Sequence, residues 1–143
     1  MKVEDIIHRK GAAVITIGPD LNVKLASHKL LFENISALVV VDGESMVGML
    51  SERDIARALA RHGELLTRMQ ARDIMTKHIV TCALNDDLRR VMALMTQHRV
   101  RHLPVLRDGR LAGIVSIGDV VKYRLEELEL ETNVLRDAYL TAH

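Results

Sequence analysis

The sequence predicts an α/β fold made twice over. Residues Thr16 to Arg57 align without a gap on Thr81 to Lys122 at a constant offset of 65 positions, Gly48 falling on Gly113 and Asp54 on Asp119. Each copy places a stretch of helical periodicity before two short aliphatic runs that read as strands. Each copy then closes on Gly-x-x-Ser-x-x-Asp leading into a second helix: Gly48 to Asp54 in the first copy, Gly113 to Asp119 in the second. With 143 residues in all, neither half can bury enough surface alone, so the halves are expected to share one module.

Taken in order, Val3, Ile6 and Ile7 have helical spacing and predict a short lead-in helix over Met1 to Arg9, ended by Gly11. Val14 to Ile17 is an extended run stopped by Gly18 and Pro19, with Asp20 placed to cap the next helix. The first helix proper buries Val23, Ala26 and Leu30; its counterpart buries Leu88, Val91, Met92 and Met95. Ala37 to Val41 and Met46 to Leu50 form a hairpin through Asp42-Gly43, and Leu103 to Leu106 and Leu111 to Val115 form one through Asp108-Gly109. These strands are continuously aliphatic rather than alternating, which predicts burial on both faces. His62 to Thr76 carries Leu65, Leu66, Met69 and Ile74 and reads as the tail of a helix plus an ordered connector. From Asp119 to about Leu140 the chain reads as one long helix whose apolar positions want a partner, so a homodimer is expected.

Composition narrows the function. The residues are 48% hydrophobic but only 2% aromatic, without tryptophan, so the core is aliphatic and few rings are available to stack on bases. A formal net charge of +1 supplies no basic groove, and nucleic acid is not expected as a partner. Cys82 is the one cysteine and cannot form an internal disulfide; no basic leader with an apolar run opens the chain, and no apolar run approaches the roughly 20 residues of a membrane span. The expected setting is cytoplasmic, away from membranes.

The repeated Ser-x-x-Asp supports two readings. As a capping box, the serine hydroxyl accepts from a helix amide and the acid suits the helix dipole, worth roughly 0.5–2 kcal/mol. As a ligand site, the helix N-terminus and hydroxyl suit phosphate, and the carboxylate one turn on can accept both hydroxyls of a ribose. Spacing alone leaves both open. Arg53 lies inside the first motif, whereas the second has Ile117 and Gly118 at the positions of Glu52 and Arg53, so the copies are unequal.

Beyond the junctions, Asp73-Ile74-Met75-Thr76, the run from Val100 to Val105 and the run from Gly113 to Lys122 complete a pattern. In order, spacing and duplication the chain resembles a tandem pair of cystathionine-β-synthase (CBS) domains, the unit called a Bateman module. The resemblance covers nearly the whole chain. It implies two pseudo-symmetric β-α-β-β-α repeats docked sheet to sheet, with helical N- and C-terminal extensions: a first repeat over 1–62 with its lead-in, a helical connector over 63–77, a second repeat over 78–125 and a C-terminal helix over 126–143. It implies a regulatory sensor, not an enzyme, binding AMP, ADP, ATP or S-adenosylmethionine in the cleft between repeats. No cofactor is obligatory, and a regulated partner protein is implied.

Carried over by position, the first site uses Ser51, Arg53 and Asp54, with Ile15 and Thr16 near the base and Arg101 and His102 reaching the phosphate from the second copy. The second site uses Ser116 and Asp119, with Val80 and Thr81 near the base. The facing positions, Ser36 and Ala37, carry no charge where many relatives have a basic pair, so phosphorylated ligands are expected at the first site. The competing reading is a structural dimerisation module with vestigial clefts. His98 and His102 lack a third ligand nearby for zinc, the seven methionines read as core filler, and no nucleophile–base pair or Walker loop is present. Cys82 reads as a small buried hydrophobe, or, near a cleft, as a reporter of ligand binding.

Overall fold

The computed structural model describes residues 1–142. In the first copy, Thr16–Ile17 (β1), Ala37–Asp42 (β2) and Ser45–Ser51 (β3) form a three-stranded sheet in the order β1-β2-β3. β1 runs parallel to β2, with Thr16 opposite Val39, and β3 returns antiparallel, with Ala37 opposite Ser51 and Leu38 opposite Leu50. A register shift between Val40 and Val41 leaves Val47 unpaired in β3 and bends the hairpin. Two helices, α2 (Val23–Glu33) and α3 (Glu52–His62), complete the copy. Ile17, Ala26, Leu30, Leu38, Val40 and Leu50 form its core. Leu38, Val40 and Leu50 are wholly buried, each contributing on the order of 1.5–3 kcal/mol by leaving water.

A 3-10 turn (Gly63–Arg68) and a four-residue helix, α4 (Ala71–Ile74), come next. The second copy repeats the first as Cys82–Ala83 (β4), Leu88–His98 (α5), His102–Arg107 (β5), Arg110–Ser116 (β6) and Ile117–Ala142 (α6), with sheet order β4-β5-β6. The mixed α/β architecture and the C-terminal helical extension are therefore as expected.

The hairpins differ at their tips. Asp108 and Gly109 both have positive φ, at 51° and 77°, as a two-residue type I′ turn requires, whereas in the first copy only Gly43, at 63°, is left-handed. Asn34 and its counterpart Arg99 both end their helices in the left-handed conformation, which asparagine tolerates better than arginine. The cap of α2 is Asn22, whose side chain accepts from the Lys24 amide at 2.8 Å, and not Asp20, which pairs with Arg72.

Two compact units result, and each draws on both copies. One gathers Ala13–Ile79 with the hairpin tip Asp108–Leu111; the other gathers Met1–Ala12, Val80–Arg107 and the chain from Ala112 onward. The lead-in helix α1 (Val3–Lys10) thus packs with the second copy: Val3, Ile6 and Ile7 share a core with Cys82, Leu88, Val91 and Leu103. The amides of Val3 and Glu4 donate to the carbonyls of Asp86 and Leu84, so the other copy's loop satisfies the start of this helix. Correspondingly, α4 precedes the second copy but packs with the first, where the amides of Ala71 and Arg72 donate to Leu21 and Pro19. Bridges Lys2–Asp87 and Asn22–Gln70 fix the two helix starts in the same way. Gly113 admits Ile7 and Gly48 admits Met75: a β-carbon at either glycine would lie 2.6 Å from that side chain.

Candidate functional site

At the first junction, Ser51 ends β3 in extended conformation and α3 begins at Glu52. The Ser51 hydroxyl accepts from the Asp54 amide at 3.2 Å and donates to Asp54 Oδ2 at 2.9 Å, and the Ser51 amide donates to the same oxygen at 2.9 Å. The capping box is therefore closed. Asp54 Oδ1 accepts from the Thr76 hydroxyl at 2.9 Å, and Thr76 is itself held by reciprocal backbone bonds to Met49. The Glu52 amide donates to the Ser36 carbonyl, fastening the segment before β2 to the same corner. Arg53 is exposed and makes no ion pair among the described residues. Thr16 sits opposite Val39, two positions along β2 from Ala37, which faces Ser51. Ile15 joins the same sheet, its carbonyl accepting from the Val39 amide. Thr16 and Ser51 thus flank β2, offset by two residues or roughly 7 Å along it and by two strand spacings or roughly 10 Å across it, with Ile15 beside the one and Asp54 one helical turn past the other.

The second junction repeats the box with one change. The Ser116 amide donates to Asp119 Oδ2 at 2.9 Å, and the Asp119 amide donates to Ser116 Oγ at 3.1 Å. The same carboxylate oxygen also accepts from Lys10 Nζ at 2.7 Å, and Lys10 donates to the Ile114 carbonyl at 3.1 Å. Burial pushes the Asp119 carboxyl upward, but the Lys10 hydrogen bond, the Ser116 contacts and the Lys10 charge outweigh it and hold it below the usual carboxylate range. Val80 and Thr81 lead into β4, and the Arg101 carbonyl accepts from the Ile117 amide at 2.8 Å, which fixes the Arg101 backbone at the junction of its own copy. Arg101 is exposed and His102, at the start of β5, is half-buried.

Sequence reasoning placed no cation at the second junction; the lead-in helix brings Lys10 there. It also gave Thr76 no role at the first. Thr76 lies in a run already singled out, but nothing local marks Lys10, because the 65-residue repeat does not extend to the lead-in helices. Cys82 is buried among aliphatic side chains, the small buried hydrophobe expected, and burial, then the Asp86 charge, pushes its thiol up to about 12. No helix among the described residues is long and apolar enough to cross a membrane.

Compared with known families, residues 3–61 and 71–126 each match the CBS domain. The chain belongs to the CBS domain family. Each matched span opens on one of the two lead-in helices that pack with the other copy. A CBS-domain containing protein from Agrobacterium tumefaciens, ATU1752, is 42% identical and superimposes with a TM-score of 0.85 over 87% of this chain and 99% of its own. The mitochondrial CBS domain-containing protein CBSX3 of Arabidopsis thaliana is 32% identical, aligned over 96% of this chain and 71% of its own. The CBS domain pair of protein MJ0100, solved in complex with 5-methylthioadenosine and S-adenosyl-L-methionine, is 26% identical with a TM-score of 0.78, covering 89% of this chain and 98% of that pair.

Proposed function

We propose that this CBS pair is a non-catalytic regulatory module that binds an adenosine-containing ligand and passes its occupancy to a partner protein. The observation that carries the reading is the likeness, over nearly its full length, to a CBS pair holding two adenosine compounds. Asp54 and Ser51 hold the ribose and phosphate, Ile15 and Thr16 lie by the base, and Arg53 with Arg101 and His102 meets the phosphates. At the second site Ser116, Asp119, Val80 and Thr81 take the same roles. The difference between the junctions supports a preference for the first. Asp54 is engaged by neutral donors that a ribose hydroxyl can replace at little electrostatic cost, whereas Asp119 must give up the Lys10 ammonium to accept a sugar. Regulation then requires that the ligand favour one arrangement of the module over another.

The test is the ligand-induced gain in unfolding free energy, measured with AMP, ATP and S-adenosylmethionine. At about a hundred times its dissociation constant a ligand adds roughly 2.7 kcal/mol. Asp54→Ala removes this gain and Asp119→Ala keeps most of it for phosphorylated ligands; because each acid also caps a helix, the gain is compared and not the starting stability. A second reading, a structural dimerisation module, is favoured by the closure of both capping boxes by their own serines and by the exposed apolar positions of α6. It prevails if no adenosine compound raises the stability of the native chain.

A further inference from the structure

Past its first three turns α6 leaves the second unit's core: Val120 and Tyr123 are its buried side chains, and from residue 128 onward every described position is exposed. The helix has 26 residues and so extends roughly 39 Å. Leu130, Val134 and Leu140 are exposed off to one side, but most of its other exposed apolar positions fall in one row. Val121, Leu125, Leu128, Thr132, Leu135 and Tyr139 follow spacings of four, three, four, three and four, the alternation of a coiled-coil seam, with Val121, Leu128 and Leu135 at d and Leu125, Thr132 and Tyr139 at a. Leu125, Leu135 and Tyr139 are 55%, 71% and 62% exposed. The one hydroxyl-bearing aliphatic position is already satisfied, Thr132 donating to the Leu128 carbonyl at 2.9 Å, which leaves its methyl for the seam.

We propose that α6 pairs in parallel and in register with α6 of a second copy of this chain, forming a two-stranded coiled coil from Val121 to Tyr139. The flanking charges choose the occupant and its direction. In a parallel pair each g position faces the e′ position five residues on. Glu131 then faces Arg136′, an attractive contact that occurs twice by symmetry; Arg124, the other basic g position, faces Glu129′ but is half-buried and bonded to Glu127 of its own helix at 2.8 Å, so Glu131 and Arg136 carry the choice. Arg136 has no acid three or four residues away on its own helix, so the second copy supplies the partner its own chain lacks. Antiparallel alignments satisfy fewer of these requirements together. Pairing Glu129 with Arg136′ sets Thr132 against Leu135′ and leaves Val121 and Leu125 outside the shared seam. Pairing Arg124 with Glu131′ stops the shared seam at Thr132. The pairing does not depend on ligand binding.

Mass measurement on the full chain, by light scattering after gel filtration, is expected to give twice the 16.1 kDa of one chain. Leu128→Glu with Leu135→Glu returns it to one chain without lowering its helix content by more than the unpaired end of α6. Leu130→Glu, off the seam, leaves it dimeric. Glu131→Arg weakens the dimer at least tenfold and Glu131→Arg with Arg136→Glu restores it. Leu135→Cys cross-links to its twin on oxidation, native Cys82 being buried. A monomer at every concentration, a dimer indifferent to the seam substitutions, or a dimer in which Leu135→Cys fails to cross-link each overturns the proposal.

Discussion

Ser51 and Asp54 differ from Ser116 and Asp119 by what reaches their carboxylates from outside the repeat: a threonine hydroxyl in the first case, a lysine ammonium in the second. That difference is measurable by pH. Because the folded chain holds the Asp119 carboxyl below its ordinary 3.8, the ionised form is bound more tightly in the fold than in the unfolded chain. The associated stability is complete above the ordinary value and is lost as pH falls through 3.8 towards the lowered folded value. Lys10→Met is therefore expected to cost stability at pH 7, on the order of 1 kcal/mol or less since the pair is partly exposed and screened by salt, and the gap to the native chain should narrow as pH drops below 4. Urea denaturation at pH 7, 5 and 3 measures it; a gap that does not change with pH would show that the lysine acts only through packing and its bond to Ile114. The junction residues themselves were legible because they occur twice in register. Lys10 was not, since its contact spans 109 positions and obeys no local period.

At the scale of elements the strands, the lead-in helix and the C-terminal helix fall within two residues of their expected bounds, because aliphatic runs and helical spacing report burial directly; the stretch after His62, expected to continue the junction helix, is instead a 3-10 turn followed by the separate helix α4. Capping was harder: Asp20 and Asn22 are both able caps, and only the pairing of Asp20 with Arg72 separates their roles. The purpose of the glycine that opens each junction run was hidden as well. Gly48 and Gly113 are there because a helix-bearing segment from elsewhere in the chain lies flush on the strand. A methyl group at Gly113 would meet the Ile7 Cδ1 at 2.6 Å and the rest of that side chain no closer than 3.4 Å, so a turn of one terminal methyl relieves it. At Gly48 a methyl would meet Met75 Sδ at 2.6 Å, its Cγ at 2.9 Å and the Thr76 carbonyl oxygen at 3.0 Å, and that carbonyl is bound to the Met49 amide. Overpacking against fixed backbone typically costs about 1–3 kcal/mol. Gly48→Ala is therefore expected to fall in that range and Gly113→Ala well below it, by chemical denaturation; equal losses would mean that Met75 and Thr76 yield as easily as Ile7.

Over the whole molecule, the duplication visible in the sequence is not the division the fold uses. Periodicity finds a helix over Val3 to Lys10 but cannot say which sheet it covers, because both copies present the same loop carbonyls, Pro19 and Leu21 in one and Leu84 and Asp86 in the other. The chain resolves the choice by exchange: α1 serves the second copy and α4 the first. Cutting between Met69 and Gln70 consequently leaves two incomplete pieces. Residues 1–69 lose Met75 against Gly48 and Thr76 on Asp54, and carry an α1 with no core to enter; residues 70–143 lose Val3, Ile6 and Ile7, two of them wholly buried, together with the Lys10 pair. Removing one large aliphatic group from a core costs about 2–5 kcal/mol, so three such losses, about 6–15 kcal/mol, are as large as the about 5–15 kcal/mol by which a whole domain is stable. Each fragment alone is expected to melt without a cooperative transition by circular dichroism, and an equimolar mixture to regain one, since each carries the helix the other needs. A fragment 70–143 that unfolds cooperatively by itself, at a temperature close to that of the intact chain, would show that the second copy needs nothing from the first, and the exchange would then be a matter of connection rather than of stability.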